Sequence, residues 1–110
     1  KVTLWGSGSP LREFLHVDDL AKAVVLCMDK YDDSKQINIG SSQEVSIKDL
    51  ADKISKAVGF SGEIIWDSSK PDGTMRKVLD SSKITNLGWK PLISLDQGIA
   101  STVEWYLQNK

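Results

Sequence analysis

Arg12-Glu13-Phe14-Leu15-His16-Val17-Asp18-Asp19 takes the chain from an extended segment into a helix. Phe14 to Val17 reads as a brief extended piece. Asp18 and Asp19 then place two carboxylates in a first helical turn, where they complement the positive end of the helix. The helix is expected to run to about Tyr31 and to stop in the polar Asp32-Asp33-Ser34 loop. Between Leu20 and Met28 only Lys22 is polar, and a helix apolar nearly all round is buried on more than one side. Either it is a central core helix, or its second face meets a surface outside this chain. Helical spacing groups Val24, Cys27, Met28 and Tyr31 toward the chain's own core, and assigns Leu20, Ala21, Val25 and Leu26 to the outer surface.

Upstream, Val2 to Trp5 reads as a strand ended by the turn Gly6-Ser7-Gly8-Ser9-Pro10. Downstream, Gln36 to Ile39 is a strand closed by Gly40. Ser46 with Asp49 approximates a capping box, Asp standing in for Glu or Gln. The helix behind it has Ile47, Leu50, Ala51, Ile54 and Val58 on one face. Asp49→Lys53 and Asp52→Lys56 are i,i+4 pairs on its wet side, and Gly59 ends it. Glu63 to Trp66 is a further strand, followed by the Ser68–Arg76 loop and an extended Val78-Leu79. Ser81 and Ser82 can cap one or two helical turns that stop at Gly88. Ser94 and Gln97 form a second capping box before a last helix to about Gln108, with Leu95, Ile99, Val103 and Tyr106 as its buried stripe. The sum is one small α+β domain over residues 1–110, three main helices with short strands between them.

The 110 residues carry a formal net charge of −1, with both signs mixed along the chain. That argues against a nucleic-acid or membrane-surface protein, which shows a basic face or block. The longest apolar run, Ala23 to Met28, is too short to cross a bilayer. No basic-then-apolar leader opens the sequence. Cys27, alone inside the apolar run, reads as a reduced thiol of a cytoplasmic protein. One His and one Cys argue against a dedicated zinc site. The absence of an initiating Met and the abrupt strand Val2-Thr3-Leu4-Trp5 lead us to expect an incomplete polypeptide.

Two loops pair Pro and Gly with Arg: Trp5 to Phe14, and Lys70-Pro71-Asp72-Gly73-Thr74-Met75-Arg76-Lys77. Of 14 basic residues only Arg12 and Arg76 are Arg. The planar guanidinium suits a two-point grip on phosphate, so these loops can hold an anion. The other reading pairs each Arg with a carboxylate. Asp72, between Pro71 and Gly73, is either a turn residue or a ligand-facing carboxylate. Gly6-x-Gly8 after a strand is a poor dinucleotide turn, because Leu11 and Pro10 break the pattern. Tyr106-x-x-x-Lys110 has the Tyr/Lys spacing of short-chain dehydrogenases, but Tyr106 sits in an apolar stripe and Lys110 is terminal. His16 has no nucleophile beside it and reads as a structural hydrogen-bonding residue.

The run Trp5 to Asp19 resembles the C-terminal region of extended short-chain dehydrogenases that modify nucleotide sugars. Lys70 to Lys77 narrows the resemblance to the GDP-L-fucose synthase family, and Asn86-Leu87-Gly88-Trp89 and Ser101 to Leu107 fit it as well. Met75 departs from the pattern, which has Pro there, and is expected to loosen the loop. The resemblance implies the substrate-binding lobe of an NADPH-dependent epimerase/reductase acting on GDP-4-keto-6-deoxymannose. The Rossmann domain, which binds NADPH and carries the catalytic residues, would be absent from this stretch. The implied parent is a cytoplasmic homodimer. On this chain the resemblance implies no catalytic, cofactor or metal residue, and matches Trp5, Arg12, Asp72 and, more weakly, Lys77 to substrate-contacting positions. A lobe of a related nucleotide-sugar epimerase or reductase, or a non-catalytic binding module, would carry the same residues.

Overall fold

The computed structural model describes residues 1–110. Two small sheets and four helices follow the chain as β1 (Val2–Trp5), β2 (Leu11–Glu13), α1 (Val17–Lys30), β3 (Glu44–Ser46), α2 (Ile47–Ala57), β4 (Ile64–Asp67), β5 (Arg76–Lys77), α3 (Ser82–Asn86) and α4 (Leu95–Asn109). β1 pairs in parallel with β4, Val2 opposite Ile64 and Trp5 opposite Asp67. β2 is the centre of the second sheet, antiparallel to β3 and parallel to β5.

The helices start where side chains cap them. Ser46 accepts from the amide of Asp49, and Ser94 and Gln97 close a reciprocal box. His16 caps α1, its Nδ1 accepting from the Asp18 amide at 3.1 Å. That cap ends the extended stretch early, so strand pairing falls at residues 11–13 rather than 14–17. Ser81 does not cap α3; its hydroxyl takes the Gly40 amide at 3.0 Å, and Asp80 accepts from Ser82 instead. Lys53 reaches Asp96 of α4 at 2.7 Å rather than Asp49, tying α2 to α4. The expected strand at 36–39 has no ladder partner, and pairing occurs at 44–46 and 76–77, where the sequence shows no strand period.

The rotation of α1 differs from the apolar spacing. Asp19, 1% exposed, points inward; its carboxylate accepts from Leu92 N and Ile93 N at 2.9–3.2 Å, and its carbonyl from the Trp89 indole at 3.1 Å. With Asp19 fixed, Ala23, Leu26 and Cys27 face the core, a cluster of Ala23, Ile84 and Trp89 flanked by Leu15, Ile37, Ile39 and Leu87. Leu20, Ala21 and Val25 lie outside as expected, but so do Val24 and Met28, the latter 82% exposed. Tyr106, expected in the buried stripe of α4, is 61% exposed. The apolar wall that α4 forms with Leu50 and Ile54 of α2 ends at Val103.

Only 11 of 110 residues are buried, and the chain exposes 7856 Å². A folded monomer of 12.2 kDa exposes about 6,100 Å². The radius of gyration, 16.5 Å, likewise exceeds the roughly 13 Å of a compact chain of this length. No helix is long and apolar enough to cross a membrane.

Removing the Asp19 carboxylate strands the amides of Leu92 and Ile93. Asp19→Ala is expected to cost about 1.5–3 kcal/mol in urea unfolding, and Asp19→Asn, which keeps one acceptor oxygen, distinctly less.

Candidate functional site

The two Pro/Gly loops meet through Ser7 and Asp72. The loop after β1 turns through Gly6 and Gly8, both at positive φ (85° and 78°). A Cβ at Gly6 would collide with the Asp72 carboxylate, and one at Gly8 with the Trp66 ring. The carbonyls of Gly8 and Pro10 accept the first amides of α2, from Lys48 and Ile47, at 2.9 and 3.0 Å, which seats the loop on that helix end. Asp72 closes the gap between the loops. Its Oδ1 accepts from Ser7 N at 2.8 Å and its Oδ2 from Ser7 Oγ at 2.7 Å. The Ser7 hydroxyl, and then its amide, hold the Asp72 carboxyl below the usual carboxylate range. Each oxygen uses one lone pair on Ser7 and keeps another outward.

Trp5 ends β1 with 72% of its surface exposed, and the Lys70 ammonium sits 5.4 Å from its ring centroid. Arg12, half-buried on β2, donates from Nη1 to its own Leu11 carbonyl at 2.7 Å. Its other nitrogen, Nη2, lies against Gly73 of the second loop. Paired residues on adjacent strands share a face. Arg12 stands opposite Lys77 on β5 and Val45 on β3, so the two cations sit side by side. Neither forms an ion pair; those in the chain are Lys1–Glu63, Lys53–Asp96 and Arg76–Glu44.

Arg76 has the other fate that its sequence left open. It pairs with Leu11, hence with the opposite face, and grips Glu44 with Nε to Oε1 at 2.6 Å and Nη2 to Oε2 at 2.9 Å. The bond lowers the Glu44 pKa and raises that of Arg76. The two arginines thus divide between an ion pair and an uncompensated site. The geometry brings Trp5, Arg12, Asp72 and Lys77 to the same pair of loops and adds Lys70, which sequence reasoning passed over as a solvating lysine. It also missed Glu13, whose carboxylate accepts from Leu79 N at 2.9 Å and Ser42 N at 2.7 Å, holding Ser42 at φ 58°. A charged residue at the end of β2, directly before the apolar Phe14-Leu15, was the available signal.

His16 is a linker between helices. Its Nδ1 accepts at the cap, so the proton sits on Nε2, which donates to Ser101 Oγ at 3.1 Å; that hydroxyl donates to Gly98 O at 3.1 Å. An apolar cavity of about 340 Å³ beside it, between Leu50 and Ile54 of α2 and Ile99 and Val103 of α4, presents no Asp, Glu, Lys or Arg side chain and shares only Phe14 with the two loops.

A model of the NAD dependent epimerase/dehydratase family matches residues 1–40. GDP-L-fucose synthase 1 of Arabidopsis thaliana is 55% identical over 109 residues, covering 99% of this chain and 34% of that protein. GDP-L-fucose synthase of Escherichia coli is 44% identical over 118 residues, covering 99% and 37%. A solved GDP-L-fucose synthetase from Naegleria fowleri, bound to NADP, superposes with a TM-score of 0.90 at 33% identity over 97% of this chain and 34% of that one. The chain is therefore homologous along its whole length to GDP-L-fucose synthases. Its α+β fold matches the C-terminal part of the extended short-chain dehydrogenases. It spans about a third of the length of the curated relatives it matches.

The Ser7–Asp72 tether has a defined pH window. Because the folded pKa of Asp72 lies below its unfolded value, its contribution is full above about pH 3.9 and is lost as pH falls through the depressed value. In a carboxyl NMR titration, Ser7→Ala is expected to raise the Asp72 pKa part of the way to the ordinary value, since the Ser7 amide still donates. An unchanged titration would mean that the hydroxyl bond is not formed.

Proposed function

We propose that this chain is the substrate-binding lobe of a GDP-L-fucose synthase, which epimerises and reduces GDP-4-keto-6-deoxy-D-mannose to GDP-L-fucose with NADPH. The observation that carries the reading is the Arg12–Lys77 pair. Two cations in register, with no carboxylate to neutralise them, are held apart from Arg76 on one face of a three-stranded sheet. Placing like charges opposite each other on adjacent strands is unfavourable until an anion bridges them. The diphosphate of a nucleotide sugar supplies that anion, and the Arg12 fork can grip it at two points. Trp5 offers an exposed indole to cover a ring of the ligand. The free lone pairs of Asp72 can accept from hydroxyl or base N–H groups while Ser7 holds the carboxylate in place.

This chain's residues do not form a cradle for NADPH. Asp72 and Trp66 close the Gly6-Ser7-Gly8 turn from behind, and the chain then enters β2 rather than a helix, so no helix N-terminus faces a pyrophosphate. We assign cofactor binding and the catalytic residues to a Rossmann domain in the longer polypeptide. Binding and orienting the sugar nucleotide falls to Trp5, Arg12, Asp72 and Lys77. The same reading makes that polypeptide a cytoplasmic homodimer, which light scattering on the full-length enzyme reads directly.

Arg12→Ala in the full-length enzyme is expected to raise KM for the GDP-sugar about ten- to hundredfold, the loss of a charge-assisted grip worth about 1.5–3 kcal/mol. KM for NADPH should stay nearly unchanged, and Arg12→Lys should recover part of the loss. Equal effects on both substrates would make Arg12 a structural residue. The 110-residue chain alone is expected to show no saturable NADPH binding by calorimetry, and a micromolar dissociation constant would contradict the assignment.

A further inference from the structure

Glu13 stands where an acidic side chain is costly. It pairs in register with Glu44 on β3, and like charges directly opposite each other destabilise a ladder. Glu44 is met by Arg76, whereas Glu13 gives its two oxygens to backbone amides 29 and 66 residues away. Oε2 accepts from Ser42 N at 2.7 Å and Oε1 from Leu79 N at 2.9 Å. Ser42 is the one non-glycine residue at positive φ, 58°, a conformation that L side chains disfavour. A Cβ at Gly40 would strike the same carboxylate. Two distant segments are thus shaped around one side chain.

Those segments adjoin the two outer strands of the sheet. Ser42 lies two residues before β3, and Leu79 two residues beyond β5. β5 itself is only Arg76 and Lys77. Upstream of it, Leu11 N donates to Met75 O at 2.8 Å. Beyond Lys77 the ladder stops, and Leu79 N turns to the Glu13 side chain instead of the β2 backbone. Lys77 is therefore the last paired residue, and its partner in register is Arg12. Repulsion between these cations pushes β5 away from β2. Register puts Glu13 on the other face, with Arg76 and Glu44. It forms no ion pair with either cation and acts on them through the backbone.

We propose that Glu13 is a positioning residue of the anion site, holding β5 against β2 so that Lys77 stays opposite Arg12 before any ligand arrives. The inference rests on the reading that these two cations grip the diphosphate, and it adds to that site a residue that touches no ligand. Cations placed in advance spare the ligand the cost of ordering them. Without Glu13, Lys77 leaves its register, an incoming anion has to order β5 as it binds, and affinity falls. One oxygen serves Leu79 and the other Ser42. Glu13→Gln, which keeps one acceptor oxygen, therefore retains one of the two tethers.

A double-mutant cycle in the full-length enzyme tests this, read as KM for the GDP-sugar and KM for NADPH. Glu13→Ala is expected to raise KM for the GDP-sugar about tenfold, the scale of a lost hydrogen bond to a charged group. KM for NADPH should stay nearly unchanged. Glu13→Gln should give a smaller rise, and it carries the same comparison if Glu13→Ala does not fold. On a Lys77→Ala background either change should add less than about twofold, because the residue that Glu13 positions is gone. Equal multiplication of KM with and without Lys77 would overturn the inference. So would a rise for both substrates alike, or a KM for the GDP-sugar that Glu13→Ala leaves unchanged. The diphosphate reading fails by a different result, a Lys77→Ala enzyme with an ordinary KM for the GDP-sugar, and the inference falls with it.

Discussion

The fold depends on carboxylates because its core is too small to hold it. Ala23, Ile84 and Trp89 are the buried core hydrophobics, a modest apolar burial for a chain of this length. Three acidic side chains accept amides from segments far away in sequence. Asp19 binds Leu92 and Ile93, Glu13 binds Ser42 and Leu79, and Asp72 binds Ser7. Each bond satisfies a backbone donor that a loop would otherwise leave to solvent. Asp19 sets the roll of α1, Glu13 locks the segments flanking the central strand, and Asp72 joins the two loops.

The same device explains why the site is cationic. Register places Glu13 and Glu44 with Arg76 on the opposite face of the sheet, and Asp72 bonds Ser7, so no carboxylate forms an ion pair with Arg12 or Lys77. Uncompensated charge is costly for stability and useful for binding, which is why perturbed or unpaired charges gather at functional sites. The loops add the complementary parts, an exposed indole and a carboxylate held by one serine. On the proposed reading, a ligand meets groups that these tethers already place.

What was legible in the sequence follows the length of each signal. α2 and α4 repeat their apolar positions over several turns and carry capping residues, and both appear near where the sequence puts them. The two- and three-residue strands β2, β3 and β5 are too short to show a period, so pairing was misplaced by a few residues. The roll of α1 was misread at Val24, Leu26 and Met28, because one buried carboxylate outweighed apolar spacing that was nearly uniform around the helix. At the site, the residue types and loops were readable, but the sorting of the two arginines was not. Whether an Arg meets Glu44 or stands free depends on which face of the sheet it takes, and that is set by register with strands far away in sequence, up to 65 residues for Arg12 and Lys77. The Gln36–Ile39 segment was read as a strand from its own residues, and the structure forms no strand there.

With only two arginines in the chain, each gives a separate Nε–H signal, and the pair distinguishes the site from the ion pair in one NMR titration. On this account GDP shifts the Arg12 signal saturably and leaves Arg76, tied to Glu44, in place, while guanosine without phosphate moves neither. A titration in which Arg12 does not respond to GDP, or in which Arg76 responds and Arg12 does not, would contradict the claim that Arg12 and Lys77 hold the diphosphate.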